Sequence, residues 1–442
     1  MKKFHIATFG CQMNKHDSER MAGLLIERGY APCGDPAEAD VIVFNTCAVR
    51  KHAEDRFFGN LNNLKADKRA NPNLIIAVGG CVAQAERERI LEKSPHVDIV
   101  FGTHNMPNLG FMVEEAEQGR RAVCAVADEI EIMSTAVPSA REEAHHAWVP
   151  IIIGCDNFCS YCIVPRTRGR ETSRTQEDIV DEVERLVSEG VIEITLLGQN
   201  VNSYGRDIYG ESRFAQLLKR LNGVSGLLRI RFMTSHPKDL TDDIIYAIAN
   251  SDKVCEHIHL PVQAGSDRLL SAMNRKYTKE GYLATISKIY EAIPGVGITT
   301  DIMVGFPGET EEDFSHTLDI VERARYDSAF TFIFSPREGT PAAKMKNEVP
   351  AGIKSERFDR LLASLNRISL ENNSALLGRE LEVFIEGVGK RDENILTGRT
   401  RTNKVVNFEG SADLVHTEAV IRITQAKTWS LRGELLEVAV KG

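Results

Sequence analysis

The sequence lacks features that would assign it to several large classes of protein. Its apolar runs, such as Leu74-Ile75-Ile76-Ala77-Val78, suit a buried strand and are too short to span a membrane. After Met1-Lys2-Lys3-Phe4 no apolar segment with a cleavage site follows, so we expect no signal peptide, no membrane association and a cytoplasmic protein. The nine cysteines are an odd number, which in that compartment argues against a disulfide framework.

Basic residues are fewer than acidic residues in this chain. The sequence has 54 lysines and arginines against 63 aspartates and glutamates, a formal net charge of −9. This balance argues only weakly against a nucleic-acid partner, because a local basic stripe on an acidic protein can still bind a phosphate backbone. What is present is the composition of a globular protein, 42% hydrophobic and 26% charged, in a chain of 442 residues that is long enough for two to four domains.

Alternating strand and helix patterns predict an α/β protein in three parts. Residues 1–118 predict an N-terminal parallel sheet covered on both faces by helices, in an αβα arrangement. Residues 119–146, with glutamates among small residues, predict a connection. Six βα units in residues 147–372 favour a partial (β/α)6 barrel over a flat sheet, although the pattern alone does not separate the two. Short strands with turns in residues 373–442 predict a small antiparallel β-barrel.

Three cysteines stand close together in Cys155-Asp-Asn-Phe-Cys159-Ser-Tyr-Cys162, directly after an apolar strand. We call Cys155, Cys159 and Cys162 the loop triad. Three thiolates at this spacing can hold one metal centre, but a zinc site or a fully ligated 4Fe-4S cluster needs four ligands. A zinc knuckle lacks a nearby fourth ligand, and a Cys159–Cys162 redox dithiol would leave Cys155 unexplained. The favoured reading is a cluster with one open iron, which points to an enzyme.

Three other cysteines each follow a predicted strand, and we call Cys11, Cys47 and Cys81 the sheet triad. They are separated by about one βα repeat each. Because the carboxyl ends of neighbouring parallel strands share one edge of a sheet, we expect these thiols to converge there. Adjoining glycines would let a bulky centre approach the backbone. The alternative is that these are simply small buried residues at strand ends, since free cysteine is commonly buried.

Together these features resemble the radical S-adenosylmethionine (SAM) superfamily and, within it, the methylthiotransferase family in its tRNA-modifying branch. The resemblance extends over essentially the whole chain. It is carried by Gly10-Cys11-Gln12-Met13-Asn14, Gly154-Cys155-Asp156-Asn157-Phe158-Cys159, Pro165-Arg166-Thr167-Arg168-Gly169-Arg170-Glu171, Gly198-Gln199-Asn200-Val201-Asn202-Ser203-Tyr204-Gly205 and Ser235-His236-Pro237.

The resemblance implies two 4Fe-4S clusters and SAM as cofactors. The loop triad would hold the cluster that binds SAM through its open iron, and the sheet triad an auxiliary cluster that carries the sulfur to be donated. One SAM would methylate that sulfur, and a second would be cleaved to a 5′-deoxyadenosyl radical that removes hydrogen from C2 of adenine. The product would be a 2-methylthio group on N6-dimethylallyl (isopentenyl) adenosine beside the tRNA anticodon. An aromatic C2–H offers no acidic proton and no leaving group, so a cofactor must supply the reactive species.

Polar residues that follow the barrel strands are predicted to line the SAM pocket. These are Gln199, Asn200, Ser235 and Gln263, with Arg275 and Asp301 as further candidates. The alternative is that some of them are turn and cap residues. His257 and His259 alternate along a strand and are interpreted as side chains of the barrel interior.

Two groups of basic residues are predicted to contact RNA. Arg166, Arg168 and Arg170 follow the loop triad, where they would bind phosphates, although such a run is also typical of a solvated surface. Arg399, Arg401 and Lys404 belong to the small barrel, which resembles the RNA-binding TRAM domain. The implied partners are the tRNA anticodon stem-loop, an electron donor such as flavodoxin or ferredoxin, and a sulfur-delivery system. We expect the enzyme to be a monomer.

Two other functions remain open at this level. The first is the related enzyme that methylthiolates an aspartate of a ribosomal protein. The second is a non-enzymatic iron–sulfur electron carrier or RNA-binding module, which would not need an open iron. The segments Gln199-Asn200-Val201-Asn202 and Ser235-His236-Pro237 favour the tRNA branch.

Overall fold

The computed structural model describes residues 1–48, 51–127, 138–389 and 392–438, and the chain forms two compact units. The first unit contains Met1–Phe158, Cys162–Gln199 and Tyr204–Glu211. The second unit contains Cys159–Tyr161, Asn200–Ser203 and Ser212–Gly442. Among the described residues, no helix combines the length and the apolar character that crossing a membrane requires.

The first unit begins with the predicted parallel sheet. Its elements are β1 (Lys3–Thr8), α1 (Gln12–Glu27), β2 (Ala31–Pro32), β3 (Val41–Thr46), α2 (Lys51–Ala70), β4 (Ile75–Gly80), α3 (Cys81–Glu86), α4 (Arg89–Lys93), β5 (Ile99–Phe101), α5 (Leu109–Glu117) and β6 (Val123–Ala125). The strands are ordered β2-β1-β3-β4-β5-β6, and every pairing is parallel.

Helices cover both faces of this sheet, as the continuous apolar strands predicted. Successive side chains of a strand point to opposite faces. Accordingly, Val41 and Val43 of β3 pack in one hydrophobic cluster, and Ile42 and Phe44 pack in another. All six residues of β3 and all six of β4 are buried, which is typical of central parallel strands.

Strand β6 lies within the segment that the sequence assigned to a connection. Val123–Ala125 pairs in parallel with β5, so the sheet extends one strand further than expected. A three-residue run shows no alternation that would distinguish it from a loop. Residues 128–137 of the expected connection lie outside the described residues.

The rest of the first unit carries two of the loop-triad cysteines, Cys155 and Cys162. Its elements are β7 (His146–Pro150), β8 (Ile152–Ile153), α6 (Val164–Thr167), β9 (Thr172–Ser173), α7 (Gln176–Ser188), β10 (Glu193–Leu197) and α8 (Arg206–Tyr209). Strands β7 and β10 pair in parallel, whereas β8 and β9 form a short antiparallel ribbon that closes the loop between them. The side chain of Thr175 caps α7 by accepting a hydrogen bond from the Asp178 amide at 3.2 Å.

The second unit continues the alternation of strands and helices. Its elements are α9 (Phe214–Asn222), β11 (Arg229–Phe232), α10 (Asp242–Ala249), β12 (His257–His259), α11 (Asp267–Ala272), α12 (Lys279–Ala292), β13 (Gly297–Val304), α13 (Glu311–Ala324), β14 (Ser328–Ile333) and α14 (Ala351–Ser374). Strands β12, β13 and β14 form a parallel sheet in that order. The six strands that the sequence predicted across residues 147–372 therefore all occur.

A closed five-stranded barrel completes the second unit, as predicted. Its strands are β15 (Glu380–Gly389), β16 (Asp392–Thr400), β17 (Val405–Glu409), β18 (Glu418–Ala426) and β19 (Leu431–Val438). They close in the order β15-β16-β17-β19-β18. Alternate apolar side chains, including Val383, Leu396 and Phe408, fill the interior.

Candidate functional site

The sheet triad lies at the carboxyl edge of the N-terminal sheet. Cys47 and Cys81 directly follow β3 and β4, whose last residues, Thr46 and Gly80, are register partners. Cys11 follows β1, the neighbour of β3 on its other side. A Cβ built on Gly10 would stand 2.6 Å from Cβ of Cys47, so the loop that carries Cys11 passes directly over Cys47. The topology thus brings the three cysteines to one edge.

A buried hydrogen-bond network fixes the loops that carry these cysteines. The side-chain amide of Asn14 donates to Asn45 Oδ1 at 2.8 Å and to the backbone carbonyl of Thr46 at 3.0 Å. The side-chain amide of Asn45 donates in turn to the backbone carbonyl of Asn14 at 2.8 Å. The Thr46 hydroxyl donates to the Gly79 carbonyl at 2.6 Å and accepts from the amide of Val82 at 3.1 Å. These hydrogen bonds therefore tie the cysteine loops to one another.

Sequence reasoning missed these positioning residues. Their signal was the motif around Cys11, which includes Asn14, and the Asn45-Thr46 pair before Cys47. The Cys11 thiol itself donates to Asn14 Oδ1 at 3.4 Å.

A buried cation stands near the sheet triad. Arg168 pairs with Asp17 at 2.7 Å, and the two side chains are 5% and 12% exposed. Burial opposes ionisation of Asp17, but the Arg168 guanidinium outweighs it and lowers the pKa of Asp17 to about 2. Desolvation and the neighbouring Cys81 raise the pKa of the Cys11 thiol, and the positive charge of Arg168 lowers it. Arg168 is therefore buried and places positive charge within electrostatic reach of two sheet-triad thiols.

The loop between β8 and β9 carries Cys155 and Cys162. Gly154, at φ +80°, is pressed so closely against the Arg170 carbonyl that a Cβ would come within 2.0 Å of it. Its amide donates to Gln199 Oε1 at 2.6 Å, so that side chain holds the loop. Arg170 binds both carboxylate oxygens of Asp156, at 2.6 and 2.9 Å, and lies 5.5 Å from the ring centre of the half-exposed Phe158.

Cys159 belongs to the second unit, where an arginine contacts its sulfur. Nη1 of Arg275 donates to Cys159 Sγ at 3.4 Å. The next residue, Ser160, donates its hydroxyl to the Ala272 carbonyl at 2.8 Å and its amide to the Met273 carbonyl at 2.9 Å. Both Cys159 and Arg275 are buried. The predicted SAM-pocket residue Arg275 thus contacts a predicted cluster ligand.

On two segments of the second unit, four buried polar atoms have no hydrogen-bond partner among the described residues. These atoms are Asn200 Oδ1, Asn202 Nδ2, Ser235 Oγ and His236 Nε2. The two segments that carry them are joined, because the His236 amide donates to Asn202 Oδ1 at 3.0 Å and the Val201 amide donates to the Thr234 carbonyl at 3.1 Å. A buried polar group without a partner costs about 1–3 kcal/mol, so such a group of atoms indicates a ligand.

The unpartnered atoms include both donors and an acceptor. The side-chain nitrogen of Asn200 donates a hydrogen bond to the Asp239 carboxylate at 2.8 Å. The side-chain oxygen of Asn200 therefore remains as an acceptor. The His236 Nδ1 accepts from the Lys238 amide, and burial, Arg275 and Lys238 hold the pKa of this ring far below its usual value. The neutral ring therefore carries its proton on Nε2 as a donor. Amino, carboxylate and hydroxyl groups of SAM offer the complementary set, so these residues fit that cofactor.

Two further residues predicted for the SAM pocket, Gln263 and Asp301, are joined within the second unit, where Gln263 follows β12 and Asp301 lies within β13. Gln263 adopts φ +66°, and its amide donates to the Asp301 carbonyl at 2.8 Å. The Asp301 carboxylate lies 3.4 Å from His259 Nε2. His257 and His259 are both buried and both hydrogen-bonded to the Thr299 hydroxyl at 3.0 Å, which confirms their reading as interior side chains.

Within the described residues, no group of three or more His, Cys, Asp or Glu side chains is arranged to hold a single metal ion. A 4Fe-4S cluster makes a different demand, because each cysteine binds its own iron at a separate corner. The donor chemistry of both triads, thiols only, is that of such a cluster.

The basic residues predicted to contact RNA differ in their surroundings. Arg166 and Arg170 are exposed. In the barrel of the second unit, Arg399 pairs with Glu386 at 2.9 Å, Arg401 binds Glu256 at 2.7 Å, and Lys404 pairs with Asp327. The last two pairs join the barrel to the preceding part of the same unit.

Known protein families match three segments of the chain. Residues 3–102 match the family described as uncharacterized protein family UPF0004. Residues 149–321 match the radical SAM superfamily, and residues 375–436 match the TRAM domain. These matches confirm the expected succession of a parallel-sheet domain, a radical SAM fold and a TRAM barrel.

Curated relatives named tRNA-2-methylthio-N(6)-dimethylallyladenosine synthase cover almost the whole chain, as three of them illustrate. The relative from Thermoanaerobacter pseudethanolicus is 54% identical over 437 residues, covering 98% of this chain and 93% of its own length. That from Acetivibrio thermocellus is 52% identical and covers 98% and 91%. That from Carboxydothermus hydrogenoformans is 51% identical and covers 98% and 99%.

Solved structures share the fold at low sequence identity. The radical SAM methyltransferase TsrM from Kitasatospora setae is 14% identical, with a TM-score of 0.56 over 78% of this chain and 75% of that one. The cobalamin-dependent S-adenosylmethionine radical enzyme OxsB is 13% identical, with a TM-score of 0.53 over 83% and 56%.

Proposed function

Because the chain belongs to the family of tRNA-2-methylthio-N(6)-dimethylallyladenosine synthases, we propose that it transfers a methylthio group to C2 of an N6-dimethylallyl adenosine beside the tRNA anticodon. The observation that carries this proposal is the pair of cysteine triads, one at the edge of a parallel sheet and one in a loop of the radical SAM segment. A radical SAM enzyme needs only the loop triad. A second triad held by its own hydrogen-bond network supplies a place for the sulfur.

Each triad would hold one 4Fe-4S cluster with an open iron. The loop triad would hold the cluster whose open iron binds SAM, and bound SAM would supply, on one-electron reduction, a radical able to remove hydrogen from an unactivated aromatic carbon. The sheet triad would hold the auxiliary cluster. A methylthio product needs one methyl donor and one radical source, so we infer that two molecules of SAM are consumed for each product.

The chain's own residues would orient SAM and exclude water from it. Asn200, Ser235 and Gln263 would do so from loops of the second unit and Asp301 from strand β13, and Asn202 and His236 add unpartnered donors. A zwitterionic amino-acid group satisfies an acceptor and several donors at once, whereas water can satisfy them only by remaining trapped. Gln199 has a different role, because its side-chain oxygen accepts the hydrogen bond from the Gly154 backbone amide.

Contacts to RNA would begin beside the loop triad. Arg170 and Phe158 present an exposed cation and a half-exposed aromatic ring side by side, which suits a phosphate and a base. Arg166 is exposed next to them in sequence, whereas Arg168 belongs with Asp17. Arg399, Arg401 and Lys404 of the TRAM barrel stay predicted contacts to the anticodon stem-loop, with ion pairs as an additional role. The electron donor, such as flavodoxin or ferredoxin, and the sulfur-delivery system belong to the same proposal.

The proposal is tested by nucleoside mass spectrometry of tRNA from cells that lack the gene. We expect 2-methylthio-N6-dimethylallyladenosine to disappear and N6-dimethylallyladenosine to accumulate. A plasmid with the wild-type gene should restore the modification, and one with Cys155→Ala should not. Cys33→Ala is the matched control, because Cys33 belongs to neither triad, and it should restore the modification.

Persistence of the modified nucleoside in the deletion strain, with no second enzyme of the family present, would overturn the tRNA function. Loss of a methylthio group from a ribosomal protein aspartate in the same strain, with tRNA unchanged, would instead establish the protein-modifying alternative.

A further inference from the structure

We propose that Arg275 is a positioning residue for the radical-generating cluster: it holds the Cys159 sulfur and raises the reduction potential of the cluster bound by the loop triad. This inference rests on the proposed function, because it assumes that Cys159 is a cluster ligand. The sulfur that Arg275 contacts is a free thiol in the structure and stands for the cluster-bound thiolate.

The guanidinium of Arg275 is fixed by all three of its nitrogens. Nη1 donates to Cys159 Sγ at 3.4 Å, Nη2 to the Pro261 carbonyl at 2.7 Å and Nε to the Tyr277 hydroxyl at 2.8 Å. The Tyr277 hydroxyl in turn donates to the Val262 carbonyl at 2.9 Å. The centre of the Tyr277 ring lies 5.1 Å from the guanidinium carbon of Arg275. The group is therefore oriented before any cofactor binds.

Among the described residues, this buried cation has no carboxylate partner. Arg275 is 7% exposed, and within the described part of the chain no aspartate or glutamate is hydrogen-bonded or ion-paired to it. Buried arginines are normally paired, because an uncompensated charge is costly to remove from water. The other buried arginines show the usual arrangement, since Arg357 pairs with Glu309 at 2.8 Å and Arg229 with Glu418 at 2.6 Å. The thiolate of a bound cluster is the counter-charge that Arg275 otherwise lacks.

A fixed positive charge and an N–H···S bond both favour the reduced cluster. Reduction adds one negative charge, and charges and hydrogen bonds at the ligating sulfurs are among the factors that set the potential of a 4Fe-4S cluster. The loop-triad cluster must be reduced before it can cleave SAM. Arg275 therefore makes this reduction easier, and its removal should make the cluster harder to reduce.

The test measures the potential of this cluster alone. Cys47→Ala serves as the background, because it removes the auxiliary cluster from the spectrum. The protein is reconstituted anaerobically with iron and sulfide, and the reduced cluster is followed by electron paramagnetic resonance during a redox titration without SAM. R275Q, R275K and the control R357Q, a buried arginine with its own carboxylate partner, are compared in this background.

We expect R275Q to hold about four irons and to shift the equilibrium constant for reduction at least tenfold toward the oxidised form, which is about 59 mV for one electron. R275K keeps the positive charge but loses the three hydrogen bonds of the guanidinium, so its shift in reduction potential should be smaller than that of R275Q. The control R357Q should leave the potential unchanged. If R275Q does not retain four irons, the R275K shift against R357Q decides the question.

An unchanged potential in a fully loaded R275Q protein, or in R275K where that variant decides, would overturn the proposal. A weaker SAM dissociation constant at unchanged potential would assign Arg275 to SAM binding instead. Failure of the Cys47→Ala background itself to hold a cluster would count against the proposed function and not against the role of Arg275.

Discussion

The ion pair between Asp17 and Arg168 gives the sharpest prediction for stability. Both side chains are almost fully buried, and their charged atoms are 2.7 Å apart. Asp17→Asn keeps the size and the hydrogen-bonding oxygen but removes the charge. It leaves the Arg168 guanidinium buried beside the sheet triad without its carboxylate partner.

The magnitude follows from the pKa of Asp17. Its fall from the usual 3.8 to about 2 in the folded protein corresponds to roughly 2.4 kcal/mol of folding free energy at neutral pH. Because the folded pKa is the lower one, this contribution is present above about pH 4 and is lost as the pH falls toward 2. Removing one partner from a buried pair typically costs about 3–5 kcal/mol. We therefore expect Asp17→Asn to lose about 2–4 kcal/mol at pH 7.

The assay is urea unfolding of the reconstituted protein at pH 7, followed by tryptophan fluorescence and by circular dichroism. Glu115→Gln is the matched control, because Glu115 makes an equally short ion pair with Arg120 at 2.6 Å, whose side chain is 72% exposed. An exposed pair contributes at most about 1 kcal/mol. Equal losses in Asp17→Asn and Glu115→Gln would refute the reasoning that burial of the pair controls its contribution.

Three further predictions follow from other buried groups. Burial, with help from Glu142 and Glu143, raises the pKa of Glu19 to about 7, so Glu19→Gln should raise the thermal midpoint above wild type at pH 8 and lose that advantage toward pH 5; a gap independent of pH would contradict this. Arg229, 1% exposed and bonded to Glu382 and Glu418, joins β11 to the TRAM barrel, so Arg229→Met should cost about 3–5 kcal/mol in urea unfolding, whereas the exposed Arg422→Gln should cost less than about 1 kcal/mol. Ser235→Ala should weaken SAM binding about fivefold to tenfold by calorimetry without lowering the stability of the SAM-free protein, because the hydroxyl it removes has no hydrogen-bond partner among the described residues. A loss of stability with unchanged SAM affinity would count against a ligand at this position.

Much of the fold could be predicted because its strands are continuous apolar runs. Val41–Thr46 and Ile75–Gly80 are buried on both faces, so their composition identifies them as central parallel strands. Strand β6 could not be predicted, since Val123–Ala125 owes its place to pairing with β5 and not to any local pattern. The ribbon of β8 and β9 has two residues in each strand, which is likewise too short for periodicity to show.

The site was predicted in part for a similar reason. The cysteines could be found from spacing, because thiols after successive parallel strands must reach the same edge. The surroundings of single side chains could not. Arg166, Arg168 and Arg170 look alike in sequence, but only Arg168 is buried, because Asp17, distant in sequence, pairs with it. Arg275 was predicted beside SAM, and only the fold shows its contact with Cys159.

The most direct test of the two-cluster account compares wild-type enzyme with Cys47→Ala in vitro. Both proteins are reconstituted anaerobically and supplied with reductant, SAM and an anticodon stem-loop containing N6-dimethylallyladenosine, and the nucleosides and SAM products are measured by mass spectrometry. We predict about eight irons and the 2-methylthio nucleoside for wild type, and Cys255→Ala, a buried cysteine outside both triads, should match it. Cys47→Ala should retain about four irons and still form 5′-deoxyadenosine, but it should form no 2-methylthio product. Normal methylthio product from Cys47→Ala with half the iron would contradict the assignment of the sheet triad to sulfur insertion.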